Sequence, residues 1–244
     1  RMRGGGWPRR FPRGAKEPVE PPRDIVDRIM DTIAKRGGGF GRKQQTQLCY
    51  EIKTFVLAGH ETSAAMLAWA LWELSQHAGC LQKTVAEADR VFQGGRVPAK
   101  EAVVGMDYSL GVLKESLRRY SVVPVVTRTA GADVQLGGHT VPKGAVVACV
   151  IQAVHNNPDL WEEPQKFMPE RFLGGKPIKP YAFLPFIDGP RNCLGQHLAL
   201  LEGRVVLGKL VQRFRFKPVG EEQGTKHPTV IPIAPLHHMR MTVE

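Results

Sequence analysis

The amino-acid sequence predicts a mainly α-helical protein with small β-sheets, an α+β fold. A proline-free run of about 34 residues, 44–77, repeats apolar side chains at helical spacing. Further amphipathic segments follow it, whereas short β-branched runs are confined to 122–150. The 244 residues, 42% of them hydrophobic, suffice for one large domain or a two-lobed one.

The N-terminal third contains one long predicted helix. Residues 1–23 are rich in Gly, Pro and Arg, so we expect a disordered lead-in or linker there. Residues 24–36 begin with an Asp that can cap a helix and predict a short helix, ended by the glycines at 37–39. The run 44–77 predicts a helix about 50 Å long, which must cross the whole protein. Its middle, LAGHETS, places a glycine, a His-Glu pair and two hydroxyls in an otherwise apolar rod.

The rest of the chain alternates helices with short strands. Two amphipathic helices are predicted at 81–93 and 111–120, and a group of short strands at 122–150. A long irregular coil at 155–172, another helix at 194–214 and a closing hairpin or strand at 228–244 follow. No internal repeat is detectable.

The net charge of +11 and the isoelectric point of about 9.8 predict an acidic partner. The basic residues are spread along the chain and have few aromatic neighbours, a distribution that argues against nucleic-acid binding. An acidic protein or an anionic membrane surface fits as well. We find no apolar window as long as a membrane span and no secretory leader. We expect the chain, which begins with Arg1, to be part of a longer protein or a gene model with a lost beginning.

Four cysteines differ in their sequence setting. None forms a C-x-x-C pair, so neither a zinc knuckle nor a redox dithiol is indicated. Cys49, Cys80 and Cys149 lie among apolar neighbours, and we expect them to be buried as small hydrophobic residues. Only Cys193 has an unusual setting, in the stretch FIDGPRNCLG.

The residues around Cys193 indicate a flat ligand. The thiol lies at or just before a helix N-terminus, where the helix dipole stabilises an anion. Gly189 and Gly195 let the backbone approach a bulky ligand, Arg191 can meet an acidic group, and Phe186 can shield the sulfur from water. A single thiolate matches a one-ligand metal such as haem iron better than zinc. The alternative is a buried cysteine at a helix cap.

FIDGPRNCLG resembles the haem-binding signature of the cytochrome P-450 monooxygenases. The residues at the signature positions are Phe186, Gly189, Arg191, Cys193 and Gly195. The resemblance implies a cytochrome P-450-like fold and haem (iron protoporphyrin IX) as cofactor. It makes Cys193 the axial thiolate and metal ligand, and Arg191 a haem-propionate partner. It covers residues 24–244 as the C-terminal part of the catalytic domain, with the N-terminal part missing.

Other motifs follow in the family's order. AGHETS resembles the oxygen-activation motif, in which Gly59 leaves room for dioxygen while Glu61 and Thr62 deliver protons. An acid beside an alcohol inside an apolar helix makes a short proton relay. The alternative is a threonine bonded to its own helix, beside a solvated glutamate. Arg128, in VVTRTA, lies where many members place a second propionate partner.

KESLRR supplies Glu115 and Arg118, which can bridge on one helical face. By itself such a pair is usually a surface pair. By the resemblance it joins Arg171 in a Glu-Arg-Arg network that braces the coil before the cysteine turn. We therefore expect a structural role for these three residues.

The resemblance implies a monooxygenase that inserts one atom of O2 into an apolar substrate and takes electrons from a separate acidic partner, an NADPH-dependent reductase or a ferredoxin. Two alternatives remain: a haem-thiolate isomerase or dehydratase of the same fold, and a truncated non-catalytic haem-binding fragment. Phe55, Val56 and Ala58 are expected to face an apolar guest. Four basic residues are expected either to dock the partner or to form a plain solvated face: Lys114, Arg119, Arg204 and Lys209.

The missing part bears on location and activity. The parent protein is expected to associate with a membrane, of the endoplasmic reticulum or plastid, through the missing N-terminal region. Because the long helix is apolar around much of its girth, we expect it to expose an apolar patch in this chain. The chain alone is expected to ligate haem but to lack a closed oxygenation pocket.

Overall fold

The computed structural model describes residues 24–35, 40–93, 98–175, 177–219 and 240–244. The lead-in predicted at 1–23 and most of the predicted terminal segment lie outside these residues. The chain divides into two compact units, Arg1–Val56 and Leu57–Glu244.

The described residues confirm the predicted fold class, mainly helical with small sheets. The helices are α1 Ile25–Lys35, α2 Arg42–Gln76, α3 Ala78–Val91, α4 Lys100–Val104, α5 Asp107–Arg119, α6 Ile151–His155 and α7 Gln196–Arg213, with a 3-10 helix at Pro169–Phe172. The strands are β1 Val125–Thr129, β2 Val134–Leu136, β3 His139–Val141, β4 Val146–Val150, β5 Phe216–Pro218 and β6 Met241–Val243. They form three antiparallel pairs, β1 with β4, β2 with β3, and β5 with β6.

In the first unit, α1 begins with a reciprocal cap. The backbone N–H of Asp27 donates to Asp24 Oδ1 at 2.9 Å, and the backbone N–H of Asp24 donates to Asp27 Oδ2 at 3.1 Å. This arrangement satisfies amides that have no partner inside the helix. The predicted Asp cap is therefore confirmed.

Helix α2 spans 35 residues and confirms the long helix predicted at 44–77. Its two ends differ in burial. The buried residues all lie in the C-terminal half: Ser63, Ala65, Met66, Trp69, Ala70, Glu73 and Leu74. Earlier apolar side chains are exposed, among them Val56 at 65% and Leu57 at 61%. The predicted exposed apolar patch is therefore present on this helix.

The core of the second unit lies where α3, α5 and α7 pack against one another and against the C-terminal half of α2. Its fully buried apolar side chains include Ala70, Ala88, Met106, Val112, Leu113, Leu207 and Val211. The 3-10 helix packs closely against α5 at Gly111, where a Cβ would lie 2.9 Å from the carbonyl oxygen of Pro169. A glycine is therefore needed for this approach.

Some elements differ from the sequence prediction. Helix α4 and strand β5 were not predicted, because segments of five and three residues are too short to show a period. Helix α5 begins at Asp107, four residues before the predicted start at 111, and the reason is a cap supplied from α3, described below. Among the described helices, none combines the length and apolar character that a membrane crossing requires.

The expectation that three cysteines are buried is wrong. Cys49 and Cys149 are exposed and Cys80 is half-buried. Cys149 lies on β4, opposite Val126 of β1. A two-stranded sheet that is not covered on both faces leaves such a side chain in solvent, although its neighbours in sequence are apolar.

Candidate functional site

The stretch 183–195, here called the cysteine loop, folds back on itself ahead of α7. The Cys193 amide donates to the carbonyl oxygen of Phe186 at 2.9 Å, and the Asn192 amide donates to that of Gly189 at 3.0 Å. Gly189 has φ +82°, a value that side-chain-bearing residues rarely adopt. Ile187 also has a positive φ, +52°, which is strained for a β-branched residue. The loop therefore holds a bent backbone at some cost in energy.

Cys193 lies two residues before Gly195, the N-cap of the 18-residue α7, and its side chain is exposed. A Cβ at Gly195 would lie 4.0 Å from the Cys193 sulfur, so any side chain there would extend beside the thiol. Leu194, the next residue, is 78% exposed, and Leu198 in the first turn of α7 is 68% exposed. One sulfur donor with open glycines and exposed leucines around it fits a flat, largely apolar macrocycle with one protein ligand. The residues present thus fit haem.

The remaining signature residues occupy the same loop. Phe186 is half-buried and packs against the core, while Arg191 is exposed. Arg128 lies on a different element, β1, where it is exposed and its Nη1 donates to the carbonyl oxygen of Thr127 at 2.8 Å. The five signature residues thus lie in one loop, and their roles, like the propionate role of Arg128, stay predictions.

The predicted proton-delivery residues lie on the turn of α2 just before its buried half. Thr62 Oγ1 donates to the carbonyl oxygen of Ala58 at 2.6 Å, and Glu61 is exposed. A Cβ at Gly59 would meet nothing within 4 Å. This is the geometry of a threonine bonded to its own helix beside a solvated glutamate. Proton delivery by Glu61 and Thr62 stays a prediction.

Behind the cysteine loop lies the Glu-Arg-Arg network, which confirms the interpretation of KESLRR. Arg118 Nε and Nη2 each donate to one Glu115 oxygen, both at 2.8 Å, and both side chains are fully buried. Arg171 Nε donates to Glu115 Oε1 at 3.3 Å, and the Met168 amide donates to the same oxygen at 3.0 Å. The buried carboxylate is thereby paired and hydrogen-bonded, as burial of a charge requires.

Arg118 also binds the coil that leads to the cysteine loop. Its Nη1 donates to the carbonyl oxygen of His155, and its Nη2 to that of Pro164, both at 2.8 Å. Its guanidinium lies 5.2 Å from the ring centre of Trp161. One side chain on α5 thus holds several points of the coil predicted at 155–172.

His155 begins the stretch HNNP, which in the sequence is only a turn signal and predicts no role for the imidazole. Its ring is buried between the end of α5 and the cysteine loop. Nε2 lies 2.8 Å from the Leu184 amide and Nδ1 lies 2.7 Å from Ser121 Oγ. Burial, together with the positive charge of Arg118, lowers the His155 pKa to about 4. The imidazole is therefore neutral at physiological pH.

Glu87 of α3 is a second residue that sequence reasoning missed. Its carboxylate accepts the backbone N–H groups of Tyr108 and Ser109, each at 2.8 Å, and the Ser109 hydroxyl at 2.6 Å. These are the first-turn amides of α5, so Glu87 caps that helix from another helix. A cap 20 or more positions away in sequence gives no local signal.

The four basic residues expected at a docking face are not a uniform solvated group. Arg119 pairs with the buried Glu73 of α2, and burial raises the pKa of that carboxyl. Arg204 is buried and donates to the carbonyl oxygens of Val103 and Val104. The alternative of a plain solvated face is wrong for Arg119 and Arg204, because both charges make contacts inside the protein, and docking of a partner stays a prediction.

The other two basic residues cover aromatic rings. Lys209 Nζ lies 4.4 Å from the ring centre of Phe92, and Lys114 Nζ lies 5.8 Å from that of Phe172. Both lysines are half-buried. Within the part of the chain that the structure describes, no group of three or more His, Cys, Asp or Glu residues is placed to hold a metal ion.

Comparison with known proteins identifies the family. The family model described as Cytochrome P450 matches residues 12–238. Cytochrome P450 4c21 of Blattella germanica is 34% identical over 88% of this chain and 44% of its own length. Human cytochrome P450 3A5 is 40% identical over 69% of this chain and 34% of its own length. The chain thus spans less than half the length of these relatives.

Solved structures agree with the sequence comparison. The haem domain of cytochrome P450DA superimposes with a TM-score of 0.75 and 32% identity, over 81% of this chain and 44% of that one. A triple mutant of the same domain gives a TM-score of 0.75 and 31% identity. The signature loop, the Glu-Arg-Arg network and these matches together show that the chain belongs to the cytochrome P450 family.

Proposed function

We propose that this chain is the haem-ligating part of a haem-thiolate monooxygenase that inserts one atom of O2 into an apolar organic substrate. Membership of the cytochrome P450 family supports this class of reaction. The single observation that carries the proposal is Cys193, an exposed thiol at the head of α7, in a loop held by buried contacts. Haem, when bound, supplies the reductive activation of O2, which no side chain performs.

The cysteine loop would hold the cofactor. Cys193, just before the N-terminus of α7, would give the thiolate ligand. Arg191, and Arg128 from β1, would pair with the two propionates. Gly189 and Gly195 would allow close approach, and Phe186 would help to exclude water from the sulfur once the cofactor is bound. Such contacts orient the cofactor and set its electron density rather than perform the reaction.

The α2 pair would handle protons, with Gly59 leaving room for dioxygen. The Thr62 hydroxyl donates to the Ala58 carbonyl, and its oxygen keeps lone pairs that can accept a proton. The exposed Glu61 carboxylate, one residue earlier, can exchange protons with solvent. To pass a proton on, the Thr62 hydroxyl must turn away from Ala58. The relay thus needs one side-chain rotation.

A haem-thiolate isomerase or dehydratase is the second candidate. The hydrogen bond between Thr62 and Ala58 favours it, because such reactions need no proton delivery to dioxygen. A non-catalytic haem-binding fragment is the third candidate. Oxygenation of a substrate by the purified chain with a reductase would exclude both.

The partners follow from the reaction class and the charge. Electrons would come from an acidic reductase or ferredoxin, and the net charge of +11 supports such a partner. An apolar substrate is supported by Phe55, Val56 and Ala58, the apolar α2 residues expected to face it, all of which are exposed. Membrane association and cellular location stay predictions.

The first test is the visible spectrum of the reduced carbon monoxide adduct of the chain supplied with haem. We expect the strongly red-shifted Soret band of thiolate-ligated haem, lost in Cys193→Ala. Cys149→Ala is the matched control, since Cys149 is also exposed but lies on β4. An unshifted band in the wild-type chain, or a shifted band that survives Cys193→Ala, would overturn the assignment of the ligand.

A further inference from the structure

His155 is the point where two hydrogen-bonded assemblies meet. Its backbone carbonyl accepts Arg118 Nη1 at 2.8 Å and so belongs to the Glu-Arg-Arg network. Its ring lies 2.8 Å from the Leu184 amide in the cysteine loop. One residue of α6 therefore connects the network on α5 with the backbone that leads to the thiol.

The partners of the ring fix its tautomer. A backbone amide can only donate, so Nε2 accepts from Leu184 and carries no proton. The proton of the neutral ring is then on Nδ1, which donates to Ser121 Oγ at 2.7 Å. The Ser121 amide in turn donates to Gln152 Oε1 at 3.0 Å. The ring is thus held at both nitrogens, with Ser121 anchored as well.

The contact at Leu184 reaches the thiol through the backbone. The Leu184 carbonyl accepts the Ile187 amide at 3.1 Å, which closes the strained turn. The next carbonyl upstream of Ile187, that of Phe186, accepts the Cys193 amide at 2.9 Å. A strained turn persists only when its surroundings determine it. His155 supplies a fixed side-chain anchor at the start of this turn.

We propose that His155 is a positioning residue for Cys193. Its neutral ring holds the Leu184 amide, and through the turn at 184–187 it fixes where the Cys193 sulfur lies relative to α7. The hold on the loop is a property of the protein alone. Its consequence for the thiolate ligand rests on the proposed function.

Three variants separate positioning from general stability. His155→Phe keeps a ring of similar size but removes both hydrogen bonds. His155→Gln keeps an amide oxygen able to accept from Leu184. Ser121→Ala leaves the ring in place but removes the hydroxyl that orients Nδ1, and the ring keeps its hydrogen bond to the Leu117 backbone. Leu74→Ala is the control, since Leu74 is buried in the core and belongs to neither assembly.

The first readout is hydrogen exchange in peptides covering 182–194, measured on the haem-free 244-residue chain. In His155→Phe we expect exchange in this segment to rise about fivefold relative to wild type, the factor that loss of one net hydrogen bond gives. His155→Gln should recover part of that protection. The exchange rate in Ser121→Ala should lie between those of His155→Phe and His155→Gln. In Leu74→Ala any increase should be spread over the whole unit.

The second readout is the carbon monoxide spectrum after haem uptake. His155→Phe should convert most of the red-shifted band to the unshifted form, whereas Leu74→Ala with equal haem content should not. Exchange in 182–194 that rises no more in His155→Phe than in Leu74→Ala, or that is equal in the Gln and Phe variants, would overturn the proposal. If His155→Phe does not fold, His155→Gln and Ser121→Ala are compared with Leu74→Ala instead. Exchange in 182–194 that rises no more in these two variants than in Leu74→Ala would overturn the proposal.

The two proposals fail separately. If the wild-type chain shows no thiolate-type band but exchange in 182–194 depends on His155 as stated, the haem-thiolate assignment fails and the hold on the loop stands. If the band is present and depends on Cys193 but not on His155, the function stands and the positioning role fails.

Discussion

The cysteine side and the α2 side of the candidate site are built differently. Behind Cys193, the buried residues Glu115, Arg118 and His155 form a continuous set of hydrogen bonds that ends at the loop backbone. On α2, the exposed turn that carries Glu61 and Thr62 shows one local hydrogen bond, between Thr62 and Ala58. The thiol loop is thus held by buried residues of other elements, whereas the acid–alcohol pair is held by its own helix.

This difference teaches where mutations will act. A ligand that must keep one geometry needs a supporting shell, and its cost appears as buried charges and a strained turn. A proton relay must let hydroxyls rotate, so a loosely held pair suits that role. Substitutions on the cysteine side should therefore change both the free energy of unfolding and the carbon monoxide spectrum. Substitutions of Glu61 or Thr62 on α2 should change neither.

The largest effect should come from breaking the buried ion pair. Arg118→Ala leaves the carboxylate of Glu115 buried with only Arg171 as a cationic partner. Loss of one member of a buried pair costs about 3–5 kcal/mol, so we expect the free energy of unfolding in urea to fall by that amount.

Lys166→Ala is the control for this prediction. Lys166 pairs with Glu163 at 3.1 Å, and both side chains are more than half exposed. Its substitution should change the free energy of unfolding by less than about 0.5 kcal/mol. Similar losses in both variants would show that the Glu-Arg-Arg network does not brace the coil.

His155 should give the cysteine side a pH dependence. Its pKa is about 4 when folded and 6.5 ordinarily, so the unfolded chain binds more protons between these values. The contribution of the neutral His155 ring to the free energy of unfolding is fully present above pH 6.5. It is lost as the pH falls toward 4, by about 3 kcal/mol. After burial, the positive charge of Arg118 is the second cause of the lowered His155 pKa.

The measurement is urea unfolding of wild type and His155→Gln at several pH values between 7 and 4. Groups common to both proteins, such as Glu73 with its raised pKa, cancel in the difference. The stability gap between the two should narrow as the pH falls. A gap that stays constant would show that the imidazole is not held neutral in the folded protein.

A smaller loss is expected at the cap of α5. Glu87→Ala removes three accepted hydrogen bonds, from Tyr108 and Ser109, and should lower the free energy of unfolding by about 2 kcal/mol. Asp89→Ala, on the exposed face of the same helix, is the control, with an expected change under about 0.5 kcal/mol. Equal losses would mean that the cap contributes nothing.

The sequence predicted what depends on local pattern. The period of α2 located that helix to within two residues at each end, and the spacing of KESLRR placed Glu115 and Arg118 on one face. The signature spacing likewise placed five residues in one loop. Each of these depends on neighbours a few positions away, which a sequence displays directly.

What the sequence did not predict depends on long-range contacts. Glu87 caps α5, His155 binds Leu184, and Arg204 bonds to the end of α4 about 100 positions earlier. Burial was misjudged for the same reason, since Cys149 lies on a strand paired on only one side. A side chain's partner across the fold leaves no periodic signal around it.

The smallest effect is expected on α2, and it separates the two sides most sharply. Thr62→Ala removes one hydrogen bond to the Ala58 carbonyl but replaces threonine by a better helix former. Glu61→Gln changes a charge that is already in solvent. We expect each to change the free energy of unfolding by less than about 0.5 kcal/mol and to leave the carbon monoxide spectrum unaltered.

A loss above about 1 kcal/mol in either variant would place these residues among the packed supports of the fold rather than in a mobile relay. If both variants stay stable and spectrally normal, any defect they show in oxygenation must come from proton transfer, because no structural change remains to explain it.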